Sequence, residues 1–425
     1  VVLSLFDGLV NRLNGMEAGK LPKISSLGRI DPLPEVNSSA FSAKIFVYLD
    51  NLDQSIPNCS STSTATSINR VSSMIWIAGT SIFSTTFMIS AIFFGEALTR
   101  SLFPGISTWT CSEISWSNSF TSAAEAYFSS DGRKLVFQAH DGDELCDQIY
   151  IMDIETGKTK LVSTGDGVTT CGYFQYPDND KIIYSSTHHH KRECPPPPDF
   201  SKGYVWKLHP EFDVFRSSPD GRKIEQLTDT WGYDAEATYA EDGSKIVYTS
   251  MAGGDLDVWT MSPDGSRKRQ LTKRLGYDGG PFFSHDGTKI VWRAYYPETK
   301  EEADNYNQLL KENAIRPMSL QIRIMNADGT GKAQVTNNSA ANFGPFFYPN
   351  DERIVFCSNV GDPDGRNFDL WAIDTDGSNL EQITFFEGFD GFPMFSPSGR
   401  FFVFASNRNQ AKHGDTNIFI CEWVD

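Results

Sequence analysis

Basic residues are scarce in this chain and nowhere clustered. Thirty-seven Lys and Arg stand against 54 Asp and Glu, a formal net charge of -17. Affinity for nucleic acid comes mainly from clustered Lys and Arg that release counterions from a phosphate backbone. Nucleic-acid binding is therefore excluded as a primary role, and cations or basic protein surfaces suit the field of this chain better. Cysteine is also sparse. The seven present form no CxxC pair, which excludes a disulfide-framework domain and a paired-cysteine zinc site. A nucleophile elbow, an HExxH helix, a phosphate loop and a dinucleotide fingerprint are all missing. With only seven histidines, three of them in one run, general bases are few. The opening residues, VVLSLFDGLVNRLNG, lack a basic start and carry Asp7 inside the apolar run, unlike a signal peptide.

The chain changes character along its length. Residues 1 to 122 carry seven basic and eight acidic groups, so nearly all the excess acid lies beyond them. Residues 1–111 are Ser/Thr-rich and show no sustained helical or strand period, which leaves them without an assigned fold. Within them, Val71 to Gly95 read VSSMIWIAGTSIFSTTFMISAIFFG, uncharged and long enough to cross a bilayer as a helix. This stretch is a candidate membrane span. Its flanks, Arg70 on one side and Glu96 with Arg100 on the other, set no orientation, and a buried apolar segment is the alternative.

From about residue 112 the sequence repeats. Six segments align in register: AEAYFSSDGRKLVF, TCGYFQYPDNDKIIY, YDAEATYAEDGSKIVY, YDGGPFFSHDGTKIVW, NFGPFFYPNDERIVF and FDGFPMFSPSGRFFVF. Each reads as two strands joined by a tight turn of Asp, Asn, Gly or Ser, residues that tolerate left-handed backbone or bond their own main chain. A third strand follows in every unit, as in LDVWTMS and FDLWAID. A fourth follows in five of them, as KLVST, EQLTD, RQLTK, AQVTN and EQITF. Four antiparallel strands per unit and six units predict an all-β fold, a six-bladed β-propeller over residues 112–425. The sixth unit runs only to a third strand, and an unclosed ring would expose a strand edge. Counting back from Ala123 by the usual inter-repeat gap predicts that residues near Glu113 to Ser117 supply the missing strand.

The phrases FSSDG, FDGFPMFSPSG and LDVWTMSPDG resemble the WD40-like, PDG-type repeats of the TolB-like propeller family over residues 112–425. That resemblance implies a protein-binding platform in a periplasmic or otherwise extracytoplasmic location. Similar propellers also precede hydrolase domains in some peptidases. A propeller scaffold hosts many functions, so chemistry must be argued from the site.

The first-turn markers Asp131, Asp178, Asp242, Asp286, Asn350 and Ser398 are spaced 47, 64, 44, 64 and 48 apart. The two long spacings place insertions between the second and third strands of blades two and four, on one face of the ring, where binding loops belong. Eight residues before the markers, Asp234, Asp278, Asn342 and Asp390 open inner strands at that face, with Glu125 and Glu236 two positions further in. Converging oxygens of this kind suit Ca²⁺ or another divalent cation, or a basic group on a partner. The competing structural reading is that Asp and Asn here bond nearby backbone. Gln148, Asp213, Asp257, Gln321, Asp369 and Asn417, which open the third strands, are read as structural.

The first insertion contains STHHHKRECPPPPDFSKGYVW. His188, His190 and Cys194 are weak metal candidates, since histidines adjacent in a loop lack the fixed geometry of helical ligand pairs. Its prolines stiffen an arm that presents Tyr204 and Trp206. The second insertion starts a helix with Thr299 three before Glu302, a capping box, with Ala303, Tyr306 and Leu310 on one face and an end near Arg316 and Pro317. It packs on the propeller or lids the channel. Cys146, Cys171 and Cys194 map to the same face, where either a disulfide between two of them or three free thiols fits the sequence. The functional expectation is a non-enzymatic protein-interaction or ligand-binding platform working through this acidic, elaborated face. The rivals are a metal-dependent hydrolase or lyase using the channel mouth, and the propeller module of a larger peptidase system.

Overall fold

A computed structural model describes residues 72–73, 110–113, 120–141, 146–196, 204–362, 364–408, 410 and 412–423. Residues 1–71 and almost all of the candidate span at 71–95 lie outside the described residues. Among the described residues no helix is long and apolar enough to cross a membrane.

The described chain is a ring of six antiparallel blades, as the repeats predict. Blades one to five run outward in sequence order, as blade three does from Asp234–Tyr239 through Ile246–Ser250 and Asp257–Met261 to Arg269–Gln270. Burial follows the radius: Ile246–Ser250 is buried at every position, whereas the outer strand Glu225–Gln226 of blade two is exposed. Second strands are apolar on both faces because neighbouring blades cover both. One aromatic side chain per blade, Phe137, Tyr184, Tyr248, Trp292, Phe356 and Phe404, stands at the same repeat position and is fully buried.

Two local devices explain the recurrent polar letters. In the first turn the marker side chain accepts from the backbone N–H two residues on, as Asp242 Oδ1 does from Ser244 (2.9 Å) and Asp286 Oδ1 from Thr288 (2.8 Å). In the outer half, the residue opening the third strand holds the fourth. Asp257 accepts from Gln270 Nε2 (2.7 Å) and Thr272 Oγ1 (3.0 Å), and Thr272 Oγ1 accepts from Val258 N–H (2.8 Å). Asp213, with Gln226 and Thr228, and Asp369, with Gln382 and Thr384, repeat the arrangement. A two-residue outer strand is too short to hold by ladder bonds alone, and these side-chain bonds supply the remainder.

The sixth blade is closed by Thr110–Glu113, antiparallel to Asn417–Glu422 with Cys111 opposite Cys421, and Ser72–Ser73 pairs outside it. The closing strand thus overlaps the predicted segment only at Glu113. Eight residues separate it from the first inner strand, Ser122–Phe128, against six or seven between other blades, so the gap rule placed it slightly late.

The two insertions meet each other. Trp206–Lys207 from blade two pairs antiparallel with Ala314–Ile315 from blade four, so a small two-stranded strap crosses blade three. The helix Lys300–Lys311 precedes it. Its Thr299 cap and Glu302 form the expected capping box, and Tyr306 is its buried side chain, donating from its hydroxyl to Asp255 Oδ1 at 2.5 Å. The helix ends earlier than Arg316, because Asn313 turns left-handed (φ 51°) and feeds the chain into the strap.

Candidate functional site

Every inner strand carries a β-bulge at the same place, recorded as a register shift between Ala124 and Tyr127, Thr170 and Tyr173, Ala235 and Thr238, Gly279 and Phe282, Phe343 and Phe346, and Gly391 and Met394. The residue within each bulge has positive φ: Glu125, Cys171, Glu236, Gly280, Gly344 and Phe392, all between 48° and 58°. Glycine meets that conformation freely. A residue with a Cβ is strained there by about 1–2 kcal/mol. Four of the six blades accept that strain, and all four of those side chains line one pocket.

Two residues further along the same strands stand Tyr127, Tyr173, Thr238, Phe282, Phe346 and Met394, all buried. Their rings interlock, with centroids 5.5 Å apart for Tyr127 and Tyr173, 5.6 Å for Tyr127 and Phe282 and 5.4 Å for Phe282 and Phe346. This layer plugs the ring axis. The strap lies over the other side, contributing Tyr204, Trp206, Lys207, His209 and Ile315. Between plug and strap remains a pocket of about 680 Å³ lined by inner-strand residues of all six blades. Seven aromatic side chains face it: Tyr204, Trp206, Tyr233, Tyr277, Phe343, Phe389 and Phe392.

The polar groups gather on one side. Arg293 pairs with Glu236, which also accepts from Thr249 Oγ1 and from Gly280 N–H, each at 2.8 Å. The Arg293 guanidinium lies 5.1 Å from the Trp206 ring centre and 5.6 Å from that of Tyr277, so one cation joins blade four to the strap. Gly280 makes room for it, since a Cβ there would stand 2.0 Å from Arg293 Nη1. Glu125, on blade one, lies beside Cys171 of blade two. Burial, reinforced by the nearby Glu236 charge, pushes its carboxyl up to about 7. Burial also raises the Cys171 thiol well above its usual range, so it is a neutral donor and not a thiolate.

Of the candidates read from sequence, the structure brings Glu125 and Glu236 together in this pocket. Asp234, Asp278, Asn342 and Asp390 are buried inside their blades and do not line it. Asp278 Oδ1 accepts from Trp292 Nε1 and Tyr296 Oη, both at 2.6 Å. Asn342 Oδ1 accepts from Ser358 Oγ (2.7 Å), and Asp390 Oδ2 accepts from Arg408 Nη2 (2.5 Å). Asp234 faces Ser250 in the ladder. Among the described residues, no group of three or more His, Cys, Asp and Glu could hold a metal. His188 Nδ1 bonds Ser186 Oγ at 2.9 Å, His190 Nε2 bonds Asp213 Oδ2 at 3.0 Å, and Cys194 is in a disulfide with Cys146.

Cys171 is a free thiol in this structure. The disulfide ties the root of the first insertion to blade one across a sequence separation of 48. Closing so long a loop removes unfolded-state entropy, and Cys146→Ser is expected to cost about 2–4 kcal/mol in chemical denaturation. Wild type under reducing conditions, where the disulfide of Cys421 opens as well, should lose at least as much; a change below about 1 kcal/mol in both would contradict this.

Sequence reading missed Arg293, Gly280 and Phe392. The signal for Arg293 was present: the same second-strand position holds Gln138, Ser185, Thr249, Cys357 and Ala405 in the other blades, so a buried Arg stands out. Arg293 is 8% exposed.

No family model matches the chain. Among solved structures it is similar to TolB from Acinetobacter baumannii, at 17% identity and TM-score 0.46, the match covering 63% of this chain and 55% of that one. It is also similar to a putative TolB from Agrobacterium tumefaciens, at 16% identity and TM-score 0.46, covering 71% and 90%. A gluconolactonase from Xanthomonas campestris matches at 12% identity and TM-score 0.48, covering 74% and 90%.

Proposed function

We propose that this six-bladed propeller is a binding module whose ligand, a small molecule or a side chain presented by a protein partner, seats in the strapped axial pocket. The observation that carries the reading is the pocket itself. At about 680 Å³, closed below by the plug and walled by seven aromatic side chains with a few polar groups on one side, it has the size and lining of a ligand site. The strained Glu125, Cys171, Glu236 and Phe392 support it, because costly backbone conformations persist where the side chains they aim are used. The Cys146–Cys194 disulfide supports an oxidising, extracytoplasmic setting.

Trp206 is the strap residue that stacks with the Arg293 guanidinium at the pocket, and it gives the test. Trp206→Ala should weaken binding of any ligand found by thermal-shift screening by roughly tenfold or more, as loss of a central aromatic anchor does. Bound ligand should also slow amide exchange across Trp206–Lys207 and Ala314–Ile315. Ligands that bind equally well to the Ala variant and leave the strap's exchange unchanged would place the site elsewhere.

A second reading is favoured by one observation. Glu125 has its carboxyl pushed up to about 7 inside the pocket, and a carboxyl that holds its proton near neutrality is equipped for acid–base catalysis. It predicts turnover of a pocket ligand that Glu125→Gln abolishes while binding survives.

A further inference from the structure

The six bulge positions are not equivalent in chemistry. Blades one to three deliver Glu125, Cys171 and Glu236 to the axis; blades four to six deliver Gly280, Gly344 and Phe392. The pocket therefore has a polar half and an apolar half, and Phe343 and Phe389 extend the apolar one. Within the polar half the charges are unequally matched. Glu236 is paired with Arg293, whereas Glu125 takes part in no ion pair among the described residues.

Resting on the reading of this pocket as a ligand site, we infer that it is built for an amphipathic organic cation. The ammonium head sits against Glu125, and an aromatic or alkyl body lies along Phe343, Phe389 and Phe392. Three features select a cation. Glu125 offers a carboxyl outside any ion pair in a confined site, where an opposite charge gains most. The aromatic walls already accept one cation, the Arg293 guanidinium over Trp206 and Tyr277, so their faces are turned inward. The net charge of -17 draws cations toward the ring and repels anions. An anionic ligand would have to displace Glu236 from Arg293 while lying beside Glu125.

Proton linkage follows from the same geometry. The groups around Glu125 are Glu236, Arg293, Asp147, Cys171 and Tyr127, with Lys207 and His209 on the strap side of the pocket. Of these, Cys171 and Tyr127 are held neutral by burial, and burial lowers His209. Cation affinity should therefore rise as pH increases through neutrality, where Glu125 ionises.

The test uses the full chain and three probes of one shape: 2-phenylethylammonium, 2-phenylethanol and phenylacetate, titrated by calorimetry with tryptophan fluorescence as a second readout. The cation should bind about tenfold more tightly than the alcohol, and phenylacetate most weakly. Glu125→Gln should erase that preference, bringing the cation's affinity down to that of the alcohol. Glu125→Gly serves as the second variant and should fold at least as well as the wild type, because glycine takes a φ of 48° without strain. Equal or tighter binding of phenylacetate, or a cation preference that survives both substitutions, overturns the inference while leaving the pocket as a ligand site. Failure of all three probes to bind overturns the ligand-site reading too.

Discussion

Arg293→Met should destabilise the propeller by about 3–5 kcal/mol, because it leaves the Glu236 carboxylate in its buried site without a counter-charge. The loss reaches beyond one pair. Glu236 also receives Thr249 Oγ1 from its own blade and the Gly280 N–H from the next, so the Arg293–Glu236 pair is the polar seam between blades three and four. The guanidinium lies over Trp206 as well, and the strap should loosen with it. In a fold of this size the loss corresponds to a melting temperature lowered by roughly 10 °C. The decisive comparison is the double variant Arg293→Met with Glu236→Gln. Removing both charges leaves no orphan, so about half or more of the stability should return. Gly280→Ala approaches the same seam from the other side, since its Cβ would stand 2.0 Å from Arg293 Nη1 and must displace it. A single-variant loss below about 1 kcal/mol, or a double variant no better than the single, would show that this seam does not hold the blades.

The ring and the site differ in how far they could be read beforehand. Blade number, strand order and the outer polar devices recur six times, so each copy corrects the reading of the others. The letters of EQLTD and RQLTK, for instance, turn out to be the Gln and Thr that fasten the fourth strand to Asp213 and Asp257. The capping box at Thr299 was legible because it is local. The site was legible only in part, for the opposite reason. The strap joins Trp206–Lys207 to Ala314–Ile315, two strands of two residues each, too short for any periodicity and drawn from separate insertions.

The inner-strand bulges were hidden because Glu125, Cys171, Glu236 and Phe392 occupy left-handed backbone that sequence alone assigns to glycine. Gly280 and Gly344 mark two of the six bulges and were the clue. Moving the bulge shifts the residues that reach the axis by two positions, from Asp234 to Glu236 on blade three. That displacement is why the strand-opening carboxylates lie within their blades while the glutamates line the pocket.

Stability should increase as pH is lowered from about 8 to about 5, by several kcal/mol, opposite to the usual behaviour of paired surface carboxylates. Burial pushes Asp234, Asp278 and Asp369 up to about 7 and Asp257 up to about 6, from an ordinary value of 3.8. A carboxyl with its folded pKa above its unfolded one binds a proton in the native state before the unfolded chain does. Between the two values the native state carries more protons, so stability falls as pH rises through that window. Each of the four aspartates contributes on the order of 1 kcal/mol or more in this direction, and Glu125 acts with them. Two histidines oppose them: burial lowers His188 to about 4 and depresses His209, so both subtract stability as pH falls below the ordinary imidazole value of 6.5. Hydrogen bonds from Ser244 and Ser284 depress the turn carboxyls Asp242 and Asp286, whose contribution disappears only in stronger acid, below about pH 4. The rise should therefore be steepest between about pH 6 and about pH 5, where these carboxyls hold their protons in the native state alone and outnumber the two histidines. Asp278→Asn isolates one contributor. The amide keeps an oxygen for Trp292 Nε1 and Tyr296 Oη and replaces Oδ2, which has no hydrogen-bond partner, so it should raise the melting temperature at alkaline pH and flatten the profile. A melting temperature that is level or falls between about pH 8 and about pH 6 would mean these carboxyls are ionised in the folded ring, with water or a cation reaching them inside the blades.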